Sequence, residues 1–178
     1  MDRGDLHKRI DLELNAGTAR EDIFKKLCSR AAVGQEKKIA LAIVCIPEAQ
    51  LRKAFAKRNL VLCLLLIFNG LLSLLIEFPL DPQRHIFLSW VKIIMPFILA
   101  AFCYSFYGAA YRFMALCSLL ELFEIGGTAF NLPLTDLAGL KLLVILTVMV
   151  LSWHIARKVF PHLGVLGLRK DQNGNYLL

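Results

Sequence analysis

From Leu60 to Ile76 the chain runs 17 residues without a charge. At about 1.5 Å of rise per helical residue, such a run nearly matches a hydrocarbon core about 30 Å thick. This run constrains the fold more than any other feature. In lipid the backbone must satisfy its own amides, so the segment has to be helix. Three further apolar runs follow. Ile86–Tyr107 carries Lys92 and Pro96. Ala109–Ile125 is weaker, with Arg112 at its start and Glu121 and Glu124 near its end. Leu137–Trp153 can extend to Phe160. Pro79-Leu80-Asp81-Pro82-Gln83 reads as a turn, and Gly126-Gly127 through Asp136 as a loop. The chain of 178 residues is 57% hydrophobic and 20% charged, which excludes a disordered tail, a coiled coil and a small disulfide scaffold.

Charge placement chooses between three spans and four. With four spans and the N-terminus inside, 18 of the 21 Lys and Arg residues fall on the inner side: those of residues 1–59, Arg112 and the four after Trp153. Only Arg84, Lys92 and Lys141 fall outside, among Glu77, Asp81, Glu121, Glu124 and Asp136. That is a strong positive-inside pattern. Three spans would place Arg157, Lys158, Arg169 and Lys170 on the wrong side. The first apolar run begins too far in for a cleavable signal peptide, so it is expected to remain as an anchor.

Residues 1–59 read as short helices. Leu6, Ile10 and Leu14 form one apolar stripe, ended by Asn15-Ala16-Gly17. Thr18-Ala19-Arg20-Glu21 has the pattern of a capping box. A second helix carries Ile23, Phe24, Leu27 and Ala31, and Val33-Gly34 ends it. A third runs from about Gln35 to Ile46. Pro47 suits the first turn of a fourth, with Leu51 and Phe55, which should enter the membrane without a linker. The cluster Arg52, Lys53, Lys57 and Arg58 abuts the first apolar run, so anionic lipid headgroups are its expected partner. A helix-turn-helix DNA reader is the sharper alternative, but no base-reading cluster stands out and nucleic acid is not the expected partner. In the tail, Asn173-Gly174 favours a small hairpin, and the tail could dock on the N-terminal helices.

The expectation is therefore an all-α integral membrane protein. Residues 1–59 form a basic helical cytoplasmic domain. Residues 60–160 form four transmembrane helices, at 60–78, 86–107, 109–125 and 137–160, and residues 161–178 form a cytoplasmic tail. A bacterial inner membrane, with both ends in the cytoplasm, is the expected location.

The candidate site is a layer of ionisable groups. Lys92 lies about 9 Å into the second span, and Glu121 and Lys141 lie about 6 Å from the ends of theirs. Glu77 ends the first span, and Glu124 follows Glu121 by three residues. Asn69, Ser73 and Glu77 share one helical face, and Ser118 precedes Glu121 by one turn. A lone charge in lipid is costly, so mutual pairing inside the bundle is expected. The layer can line a vestibule for an ion or polar solute. It can equally be structural glue, with Lys92 and Lys141 snorkelling to headgroups. A second pair, Arg157 and His162, resembles the R-x4-H element of HEPN ribonucleases. That resemblance implies a His acid or base and an Arg that stabilises phosphate. Pro161 lies inside it, and basic anchoring accounts for Arg157-Lys158 equally well.

The five cysteines have no CxxC spacing, and His7, His85 and His154 lack a second His or Cys at i+3 or i+4. Neither a metal site, a disulfide framework nor a cofactor is expected. Four short spans bury little among themselves, which points to a homo-oligomer or a membrane complex. The leading functional expectation is a non-enzymatic interaction or effector module that receives a protein partner through its cytoplasmic helices. The alternatives are an oligomeric pore or small transporter, and more distantly a membrane-tethered nuclease.

Overall fold

The computed structural model describes residues 3–29, 31, 34–77, 86–129, 136–164, 167–169, 171 and 176–177. Among these the protein is all-helical, with seven helices: α1 (Arg3–Asn15), α2 (Arg20–Cys28), α3 (Glu36–Cys45), α4 (Ala49–Glu77), α5 (Ile86–Tyr104), α6 (Gly108–Ala129) and α7 (Asp136–Val159). A two-residue antiparallel ladder follows α7. Its strands are β1 (Leu163–Gly164) and β2 (Gly167–Leu168), with Leu163 opposite Leu168.

Helices α1 to α3 close around a small core of Ile10, Leu14, Ile23, Ile39, Ile43 and Ile46. The stripe at every fourth position brings these residues together. Gly17 ends α1 in a left-handed conformation at φ +82°. The Gly17 N–H donates to Leu14 O, and the Thr18 N–H to Glu13 O. This double bond pattern satisfies the last carbonyls of the helix, and glycine adopts its backbone angle without steric penalty. The capping-box expectation at Thr18 does not hold. Ala19 is the N-cap of α2, and no side-chain hydrogen bond caps that helix. The Thr18 backbone belongs to the motif that ends α1. Ala31 lies past the end of α2 yet still packs on this core.

Pro47 precedes α4, which runs unbroken for 29 residues. The basic cluster and the apolar run therefore sit on one helix, as the sequence suggests. Helices α4 to α7 pack as a bundle around Leu62, Leu66, Tyr111, Val148, Ile155 and Phe160. Glycines allow close approach at two places. A Cβ on Gly70 would lie 2.6 Å from the Phe97 ring, and one on Gly108 would lie 2.9 Å from the Phe160 ring.

Two boundaries differ from expectation. Helix α5 stops at Tyr104 rather than Tyr107, because Phe106 takes a left-handed φ of 55°. There the Phe106 N–H donates to Cys103 O and the Tyr107 N–H to Phe102 O. Helix α6 continues through Gly126 and Gly127 to Ala129, where a loop was expected. Each glycine lowers helix stability by only about 1 kcal/mol, which continuing backbone hydrogen bonds can offset. The expected turn at residues 79–83 and the expected hairpin at Asn173-Gly174 lie outside the described residues. The tail does reach the N-terminal helices. The Tyr176 ring meets the Phe24 ring edge-on at 6.4 Å, and β2 packs against α3.

Among the described residues, two stretches are long and apolar enough to cross a membrane: Ala49–Ile76 in α4 and Leu137–Val159 in α7. The apolar stretch Ser89–Tyr104 in α5 is shorter.

Candidate functional site

The bundle holds polar groups at two levels. At the first, far from the N-terminal helices, the Asn69 amide of α4 faces Glu121 of α6, with Nδ2 3.5 Å from Oε2. This is the outer limit of a hydrogen bond. Ser73 donates back to Asn69 O at 2.9 Å, so its hydroxyl is satisfied within its own helix. The Asn69 Oδ1 atom is buried with no hydrogen-bond partner. Ser118 and Lys141 are also buried, the lysine at 7% exposure, and Lys92 is half-buried.

The helix registers place Lys92 and Lys141 at this level. Asn59 and Cys63 of α4 bond to the Cys103 and Ala100 carbonyls of α5. Continuing that antiparallel register carries Lys92 to the turn that holds Ser73. Arg58 of α4 donates to the His154 ring of α7 at 3.3 Å. Continuing that register carries Lys141 between the levels of Asn69 and Ser73. Glu77 and Glu124 lie in α4 and α6, and their side chains lie outside the described residues.

The second level contains residues that sequence reasoning missed. The Asn59 Nδ2 donates to Cys103 O at 2.8 Å. The Tyr111 hydroxyl donates to Asn59 Oδ1 at 2.6 Å and also approaches Cys103 O at 3.1 Å. All three residues are buried. Cys103 sits in the last turn of α5, and its carbonyl also accepts the Phe106 N–H at 2.8 Å. Asn59 of α4 and Tyr111 of α6 add side-chain contacts to that carbonyl, so three helices are pinned at one point. The only signal in the sequence was an amide at the edge of an apolar run and a tyrosine within another.

Arg157 and His162 are not joined. Arg157 is exposed on α7, and the charges that His162 meets are Arg20 and Arg169. Burial pushes the His162 pKa down, and repulsion from those two arginines adds to the shift.

Where the N-terminal helices meet α4, a cavity of about 360 Å3 opens beside Arg20 and Glu48. The Arg20 side chain is 10% exposed and its Nε lies 3.7 Å from Glu48 Oε1. Its Nη2 donates to Ile46 O at 3.2 Å, at the end of α3. Burial lowers the Arg20 pKa, and Glu48 opposes that shift. Arg52 on α4 pairs with Asp11 on α1 at 2.8 Å, tying the N-terminal helices to the bundle. Lys26 pairs with Glu13 within the N-terminal unit. Among the described residues, no group of three His, Cys, Asp or Glu side chains is placed to hold a metal ion.

Compared with known proteins, the chain matches no family model, no curated protein and no solved structure.

Proposed function

We propose that this chain is a four-span membrane protein, with both ends in the cytoplasm, that acts without catalysis. Its three-helix N-terminal unit, held at the inner end of the bundle, receives a protein partner within a homo-oligomer or a larger membrane complex. The bacterial inner membrane is its proposed location.

One observation carries the membrane part of this reading. All four bundle helices turn large apolar side chains outward: Leu64 and Leu75 on α4, Ile98 on α5, Phe123 on α6 and Leu143 and Val150 on α7 are exposed. Several polar residues of these helices point the other way, since Asn59, Asn69, Ser89, Ser118, Lys141 and Ser152 are buried. A water-soluble domain rarely exposes contiguous apolar surface of this extent. Packing between membrane helices through small and polar residues gives this arrangement. For the partner-receiving role, the support is that the N-terminal unit has its own core and presents Lys8-Arg9, Lys25 and Lys37-Lys38 to solvent.

Site-directed thiol labelling in intact cells tests the topology. Cysteines introduced at Gln83 and Asn131 should react from the outer face, and one at Leu178 only after the membrane is opened. Labelling of the Leu178 position from outside would overturn the reading.

The pore reading draws on the buried Asn69 side-chain carbonyl without a donor and on the buried Lys141. Flux measurements in liposomes separate the two. No ion flux from the purified chain supports the interaction module. Flux that disappears with Glu121→Ala, and survives deletion of residues 1–45, replaces it with a pore.

A further inference from the structure

We infer that Arg112, Arg169 and His162, with Arg20 beside them, form a binding site for a phosphate group. Four separate parts of the chain supply these residues: α2, α6, the turn after α7 and the residue that follows β2. They meet where α3 packs against both α6 and β2. The Arg169 N–H donates to His162 O at 3.1 Å, which holds these two residues side by side across the ladder.

The buried, unused guanidinium donors of Arg112 and Arg20 are the central observation, and the charges of the junction agree with them. Arg112 is repelled by Arg169, and His162 is repelled by both Arg20 and Arg169. Glu48 offsets part of the Arg20 charge, and it is half exposed. Arg112 Nη1 and Arg20 Nε are both buried without an acceptor, and the Arg20 side chain is nine-tenths removed from solvent. Buried guanidinium donors normally find acceptors, and leaving one unsatisfied costs about 1–3 kcal/mol or more. A cluster of like charges with unused donors is stabilised by an anion from outside the chain.

The geometry of the donors selects the anion. Guanidinium groups match the oxygens of phosphate in a planar, two-point fashion that a point charge cannot reproduce. Arg112 also lies one residue from Tyr111, at the start of α6. With the helices inserted as proposed above, this end of the bundle stands at the inner headgroup level. A phospholipid phosphate reaches the site there. Basic pockets between membrane helices on the cytoplasmic side take such headgroups. Free phosphate has the same chemistry and can enter from the cytosol.

The test uses the full chain purified in detergent, alongside Arg112→Gln and Arg169→Gln. Arg157→Gln, an exposed basic residue elsewhere, is the control. Native mass spectrometry reads bound phosphatidylglycerol against phosphatidylcholine, and thermal unfolding reads inorganic phosphate against chloride at equal ionic strength. Retention of phosphatidylglycerol, about tenfold weaker in both arginine variants and unchanged in Arg157→Gln, establishes the site with a lipid source. Stabilisation by phosphate with the same dependence on Arg112 and Arg169, and without lipid retention, establishes it with a soluble source. If neither ligand distinguishes these variants from the control, the site does not exist. The phosphate arm does not depend on topology, so its failure is separate from failure of the four-span reading. Arg169 is exposed, so its variant remains informative should Arg112→Gln not fold.

Discussion

The Tyr111 hydroxyl donates to the Asn59 side-chain oxygen at 2.6 Å, joining α6 to α4 inside the bundle. Asn59 in turn closes on the Cys103 carbonyl at the end of α5. An amide that faced lipid alone would be costly, and here both of its ends are used.

Tyr111→Phe should therefore destabilise the bundle by about 1–3 kcal/mol, because Asn59 Oδ1 stays buried without its donor. Combining it with Asn59→Leu should cost less than the sum of the two single changes, since the second removes the orphaned group. Reversible unfolding in detergent, run as a double-mutant cycle, measures the coupling. Full additivity would mean the bond contributes nothing.

Gly108→Ala and Gly70→Ala should separate clearly. At Gly108 the new methyl meets the fully buried Phe160 ring, which cannot move away without repacking. A loss of about 1–3 kcal/mol is expected. At Gly70 the obstacle is Phe97, an exposed ring that can swing outward. The helix-propensity gain of about 1 kcal/mol then leaves the change close to neutral. Melting temperatures of the two variants give the order directly.

Phe106 holds a left-handed backbone that glycine adopts more readily. Phe106→Val should lower stability by about 1–2 kcal/mol, because a β-branched side chain fits this region worst. Phe106→Gly should be far better tolerated. Equal effects of the two substitutions would show that the lost ring, rather than the backbone angle, sets the outcome.

Acidification should loosen the junction between tail and N-terminal helices. Burial, with Arg20 and Arg169 adding to it, holds the His162 pKa below its ordinary 6.5. The unfolded chain then takes up this proton first, so stability falls as pH drops through 6.5 and levels off below the folded value. Unfolding followed between pH 7.5 and 5 should show the drop, and His162→Gln should remove this component.

The Asp11–Arg52 pair is more than a third exposed on each side, so solvent screens it and Asp11→Ala should cost about 1 kcal/mol. High salt should shrink the effect further. A larger loss, read from thermal unfolding, would mean that docking of α1 on α4 relies on this pair rather than on the apolar contacts around it.

Much of the helical layout was legible because periodicity and punctuation coincided. The stripe of Leu6, Ile10 and Leu14 ends at Gly17, where the chain needs a positive φ, and Pro47 precedes a helix that then meets no breaker until Glu77. The errors occurred where local signals compete. Thr18 has a capping side chain, but its backbone already serves the preceding helix. Gly126-Gly127 looks like a break, yet helical hydrogen bonding persists through it. The polar contacts were harder. Asn69 and Glu121 are 52 positions apart, as are Asn59 and Tyr111. Only the parallel alignment of α4 and α6 equates those intervals. The meeting of Arg112, His162 and Arg169 depends likewise on a fold-back after α7, which composition does not encode.

The unbroken course of α4 has a mechanical consequence. Its 29 residues make a shaft about 44 Å long, with no proline or positive-φ residue at which it could flex. Asp11 grips one end through Arg52, and Glu121 touches it further along through Asn69. Whatever pulls on the first helix therefore turns or tilts the opposite end in the same motion, with no clutch between them.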